Sequence, residues 1–202
     1  MPPSRAHSSS PPPPARAPRR DAQRNRAHLI AVATAAFREQ GLTIGVDEIA
    51  RRAGVGIATL YRHFPTKGDL VVAVSAALLE TLRPTRDEIL ASPPAETALA
   101  RFLRAALASQ EANRGLVEAL AHQLDPEIRG RLRAMMLELL EPLVAHAHAS
   151  GELHPTLDAE DLVIANRMLG AAATPDVPRA PERYLALLLA GLRAGAPAAA
   201  PE

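Results

Sequence analysis

At 202 residues, with 48% hydrophobic side chains drawn mostly from Ala, Leu and Val, the chain can bury a sizeable helical core in one or two domains. The absence of cysteine excludes disulfides, thiol catalysis and cysteine-ligated metal sites, and an aromatic content of 2% excludes stacking platforms for single-stranded nucleic acid. The net charge of +1 hides an asymmetry: residues 1–83 hold 12 Lys/Arg against 6 Asp/Glu, and residues 84–202 hold 11 against 16. A basic first part fits one end that faces a polyanion.

No apolar run reaches the roughly 18–20 residues of a membrane span, and the start lacks a signal-peptide core, so the expected compartment is the cytoplasm. Residues 1–20 are rich in Pro and Ser and carry four arginines without an acid. They predict a disordered basic tail, because so little apolar surface cannot offset the entropy of ordering. Two readings of Arg16, Arg19 and Arg20 stay open, a minor-groove arm or a solvated tail.

A helix is predicted over 21–40, with Asp21 as N-cap, Ile30, Ala33 and Phe37 as its apolar stripe and Gly41 as its stop. Arg24 and Arg26 on this helix either touch a nucleic-acid backbone or are solvated. The stretch from Val46 to Leu70 reads VDEIARRAGVGIATLYRHFPTKGDL. Ile49, Ala50 and Ala53 stripe its first helix, Gly54 supplies a turn with positive φ, and Val55 plugs that turn. Leu60 and Phe64 lie one turn apart in the second helix, so Ala58, Thr59 and Arg62 point outward. This is a helix-turn-helix, whose second helix offers its outer face to a major groove.

These residues resemble the signature of the TetR family of bacterial transcriptional regulators. The likeness runs from Ile49-Ala50, through Gly54-Val55 and Thr59-Leu60-Tyr61, to His63-Phe64 and Lys67. It covers about 25 residues closely, and the remainder agrees in layout. Carried over by position, the resemblance implies groove contacts from Gly56, Ile57, Ala58, Thr59 and Tyr61. It implies phosphate contacts from Tyr61, Arg62, His63 and Lys67. Two residues depart from the family pattern, Gly45 and Gly56, where Ser or Thr is common. Since Gly56, Ile57 and Ala58 offer no side-chain hydrogen bonds, base reading must lean on thymine methyls, Thr59, Tyr61 and Arg62. Ile57 is also open to a second reading, turned partly toward the core.

Thr66 is the predicted N-cap of the following helix, with Asp69 three residues on as a near capping box. Leu70, Val74 and Leu78 form one face of that helix, which runs to about residue 82. Pro84 and Ser92-Pro93-Pro94 mark boundaries, with a short helix possible near 86–91. Further helices are predicted over 96–111, 116–124, from Asp125-Pro126 to Gly151, over 162–173 behind Asp158, and over 181–194. The last is apolar around much of its circumference and needs a partner on more than one side.

The fold class expected is all-α, with a three-helix helix-turn-helix DNA-binding domain followed by a helical ligand-binding and dimerisation domain. The expected boundaries are a tail over 1–20, the DNA-binding domain over 21–68, the second domain over 69–195 and a frayed tail over 196–202. The resemblance further implies a homodimer through the last two helices, about 158–173 and 181–194, and an unidentified small-molecule effector. Candidate effector residues are Phe102, His122, Gln123, Met135, Met136, Asn166 and Met168, polar or soft groups amid apolar helices; plain core or surface is the competing reading.

His146, His148 and His154 raise the question of a metal. On a helix, however, i and i+2 point about 200° apart, and no metal or cofactor is expected. No phosphate-binding loop, dinucleotide fingerprint or HExxH motif occurs, and no enzymatic activity is expected. The function expected is a sequence-specific regulator, a repressor released from a palindromic double-stranded operator by its effector. The alternatives are a helical small-molecule-binding protein or a transcriptional activator of the same fold.

Overall fold

The computed structural model describes residues 17–92, 98–122, 124–172 and 180–194, and among these the regular structure is helical throughout. The helices are α1 (Ala17–Gln40), α2 (Val46–Arg52), α3 (Ile57–His63), α4 (Lys67–Glu80) and α5 (Arg83–Ala91). They continue with α6 (Ala98–Ala112), α7 (Arg114–His122), α8 (Pro126–Ser150), α9 (Ala159–Ala172) and α10 (Ala180–Ala194).

Local chemistry sets most of the ends. Gly41, Gly54 and Gly151 follow the ends of α1, α2 and α8 with φ of 63°, 68° and 71°, a region costly for any residue with a Cβ. Thr66 Oγ1 accepts from the Asp69 amide at 3.0 Å while Asp69 Oδ2 accepts from the Thr66 amide at 3.2 Å, a full capping box on α4. Asp125 caps α8, accepting from the Ile128 amide at 2.9 Å with Pro126 in the first turn.

One local expectation needs correction. α1 begins at Ala17, so 17–20 are helical and Asp21 lies inside the helix, paired with Arg24 rather than capping. Pro18 fits that earlier start, since the missing N–H of proline has no partner in a first turn. Pro84 stands at the expected boundary, in the first turn of α5, for the same reason. α8 ends at Gly151 as expected and runs through Pro142.

Two apolar cores result. Leu29, Ala33, Phe37, Ile49, Leu60, Phe64, Leu70 and Val74 build the first. Leu99, Phe102, Leu103, Leu139, Leu143, Leu162, Leu185 and Leu192 build the second. The chain position 68/69 does not separate them, because the buried face of α4 belongs to the first core. Leu116 of α7 and Ile128 of α8 also enter that first core, so the later helices plug directly into the helix-turn-helix unit. Each fully buried leucine contributes about 2 kcal/mol of transfer free energy, which makes this junction a packed one.

Candidate nucleic-acid interface

The short helix α3 is held from below and left bare above. Leu60 and Phe64 are buried in the first core, which fixes its rotation. The α2–α3 turn is closed by the Gly54 amide donating to Arg51 O and the Val55 amide to Ala50 O, both at 3.1 Å. From α1, His28 Nε2 lies 3.1 Å from Ala53 O and must carry its proton to donate there. Also from α1, the Arg26 guanidinium sits 5.0 Å from the centre of the Phe64 ring, at the C-terminal end of α3.

Of the sequence-predicted residues, Gly56, Ile57, Ala58, Tyr61 and Arg62 are exposed on α3 and its N-cap, while Thr59 and His63 are half-buried. Ile57 is 45% exposed and Tyr61 44%, so neither is enclosed in the core. By helical phase Ile57 shares the side of Leu60 and Phe64, and as the first residue of α3 it is nonetheless exposed, whereas Tyr61 falls on the flank. Gly56 occupies the N-cap without a side-chain bond, and a Cβ built there meets nothing within 4 Å.

Lys67 lies apart from this face. Its ammonium donates to the carbonyls of Leu42 and, at 2.7 Å, Ile44, and burial pushes its pKa below the usual lysine range. The phosphate contact expected of it therefore meets an ammonium already tied to the α1–α2 connection. On α2, hydrogen bonds from Arg51 and then Arg52 pull the Glu48 carboxyl down to about 2. Arg52 also pairs with Glu39 of α1 at 2.6 Å. Both arginines are thereby engaged, and sequence reasoning had not linked them to Glu48 or Glu39.

The effector candidates differ in their surroundings, although Phe102 and Met136 both belong to the second core. Phe102 is packed inside the second core and Met168 is 62% exposed on α9. Asn166 is buried with its Oδ1 accepting from Gln110 Nε2 at 3.0 Å. Met135 and Met136 are half-buried on α8, and the His122 side chain and Gln123 lie outside the described residues. A cavity of about 250 Å³ sits instead against the first core, lined by Leu42, Lys67, Gly68, Val71, Leu124, Asp125 and Ile128. Its two charged groups are both spoken for, Lys67 by carbonyls and Asp125 as an N-cap.

The histidines also separate. His148 Nε2 faces Leu157 O at 2.9 Å and His154 Nδ1 faces Thr156 Oγ1 at 2.8 Å. Among the described residues, no group of three or more His, Asp or Glu is placed to hold a metal ion, and no helix is long and apolar enough to cross a membrane.

A helix-turn-helix with a bare second helix, plugged into a separate helical core, defines the class as a DNA-binding transcriptional regulator. Comparison with known proteins agrees. Residues 29–74 match the bacterial regulatory proteins of the tetR family, and residues 94–194 match the C-terminal domain of SbtR-like transcriptional regulators. A TetR regulatory protein from Mycobacterium vanbaalenii is 35% identical over 87% of this chain and 98% of its own, with a TM-score of 0.57. The chain belongs to the TetR family.

Two further likenesses are narrower. An HTH-type transcriptional regulator of Staphylococcus aureus is 43% identical over 53 residues, 26% of this chain and 29% of the relative's length. The regulator RolR, solved in complex with resorcinol, is 21% identical over 85% of this chain and 89% of its own, with a TM-score of 0.60; it shares the fold.

Proposed function

We propose that the chain is a repressor that binds a palindromic operator as a homodimer and is released by a small-molecule effector. The observation that carries the DNA part is the outer face of α3, where Ile57, Ala58, Tyr61 and Arg62 stand clear of the core that holds Leu60 and Phe64. Bases would be met by Gly56, Ile57, Ala58, Thr59 and Tyr61, and phosphates by Tyr61, Arg62 and His63. Lys67 takes a supporting part, holding the N-terminus of α4 against the α1–α2 connection.

The dimer part is supported by apolar side chains left uncovered on the last two helices. Ile164 and Met168 are one turn apart on α9, and Tyr184 and Leu187 are three apart on α10, with Leu187 60% exposed. Such a stripe on two adjacent helices suits a two-fold contact of the same patch on both subunits. The two α3 helices would then enter successive major grooves roughly 34 Å apart.

The effector part rests on the fold. RolR holds resorcinol, which supports a small-molecule role for the second core without assigning any residue of this chain to it. Release requires the effector to favour a geometry in which the half-site spacing no longer fits, by a coupling of about 1–3 kcal/mol. The test is selection of genomic fragments by the purified protein, followed by footprinting. Two protected half-sites about one helical turn apart and overlapping a promoter support repression. Protection of a single half-site, or a site upstream of a promoter that transcription needs, overturns it.

A further inference from the structure

Among the described residues, six large apolar side chains are exposed. Four lie on α9 and α10, where the subunit contact was proposed. The other two, Ile57 and Tyr61, lie one turn apart on α3. Leu60 and Phe64 are the buried side chains that hold α3, while Ile57 at its first position and Tyr61 on its flank stay exposed. A bare isoleucine in the first turn of a helix invites a partner with an apolar surface.

Major-groove edges carry one apolar group, the C5 methyl of thymine, and the same position is filled when cytosine is methylated at C5. Around Ile57 the competing polar readers are thin. Gly56 has no side chain and open space above it, and Ala58 adds one more methyl. Arg51 and Arg52 of α2 are engaged by Glu48 and Glu39.

We propose that Ile57, flanked by Tyr61, reads a pyrimidine C5 methyl, so that the operator half-site is specified at this position by a methyl group rather than by a hydrogen-bonding edge. This rests on the DNA-binding reading above. It further implies that 5-methylcytosine substitutes for thymine at the position Ile57 faces, whereas cytosine does not.

The experiment takes a selected operator duplex and replaces each half-site thymine singly, by deoxyuridine, deoxycytidine or 5-methyldeoxycytidine, with the matching purine opposite. Wild-type protein should lose about fourfold in affinity at one deoxyuridine position, the worth of one buried methyl. At that position 5-methyldeoxycytidine should bind more tightly than deoxycytidine. Ile57→Ala should bind the thymine and uracil duplexes alike, and Ile57→Val should keep part of the discrimination. Both variants should melt as wild type does, since the side chain lies outside the core.

Wild-type protein that binds the operator specifically but ignores every thymine-to-uracil change overturns the methyl reading and leaves DNA binding intact. Ile57→Ala that discriminates as well as wild type also overturns it. If no sequence is selected at all, the DNA-binding reading fails first and this one with it.

Discussion

Arg131 of α8 donates to Asp69 in the first turn of α4, Nη1 to Oδ1 at 2.9 Å, so one carboxylate belongs both to the capping box and to the contact between α4 and α8. Beside it the helices approach closely, for a Cβ on Gly68 would stand 2.6 Å from Ile128 Cδ1. A second tie lies on the other flank, where Arg38 Nε of α1 donates to the buried Asn113 at 2.8 Å. Movement of α7 and the first turn of α8 therefore reaches α1 and α4, which flank α3.

The bond from Arg131, then those from Thr66, hold the Asp69 carboxyl below its ordinary value of 3.8. A carboxyl depressed in the folded state stabilises above its unfolded pKa, and the contribution fades as pH falls through the folded value. Asp69→Asn should thus melt below wild type at neutral pH, with the gap closing under acid conditions. Arg131→Gln should raise the Asp69 midpoint toward the ordinary value in a carboxyl NMR titration. An unchanged midpoint would remove the pair from the account.

Lys67→Met should lower stability by about 1 kcal/mol, because the carbonyls of Leu42 and Ile44 lose their half-buried donor. Arg62→Ala, on the exposed face, should leave the melting temperature alone and weaken DNA binding. Calorimetry on the two variants separates a residue that holds the unit together from one that faces outward. Equal melting temperatures would return Lys67 to the list of simple phosphate contacts.

Gly54→Ala should cost about 1–2 kcal/mol. The cost is conformational, since φ is 68° and a Cβ there would meet nothing within 4 Å. Gly56→Ser acts in the opposite direction: at φ −69° it adds an N-cap oxygen to α3 in open space, for a gain of a few tenths of a kcal/mol. Denaturant midpoints measure both, and a neutral Gly54→Ala would contradict the turn assignment.

Those two glycines show what could be read from the chain. Signals that act over one turn were legible: Gly54 at the turn, Thr66 with Asp69, Asp125 with Pro126, and Leu60 with Phe64 as the inward pair. Groups joined across long separations were not. Nothing local marks Lys67 for the carbonyls of Leu42 and Ile44, or Arg131 for a carboxylate 62 residues earlier. The effector candidates could not be told apart in the chain for a related reason. A soft or polar residue between apolar neighbours looks the same in sequence whether it is packed like Phe102, paired like Asn166 or exposed like Met168.

Ile164→Glu and Leu187→Glu should each convert a dimer to a monomer in sedimentation experiments, by placing a charge in the uncovered stripe of α9 and α10. Because a palindrome is read by two subunits, operator affinity should fall by more than tenfold, on the order of the loss of one half-site's contribution. Dimers that survive both changes would move the subunit contact elsewhere.

The central claim is that the outer face of α3 reads a DNA sequence. It is tested most directly by the affinity of the purified protein for its best selected duplex and for a scrambled one, titrated from low to near-physiological salt. The account predicts that both affinities fall with salt while their ratio stays at about a thousandfold or more, and that Tyr61→Ala reduces the ratio. A ratio near one, with binding lost as salt rises, would leave only charge attraction and would contradict sequence reading by α3.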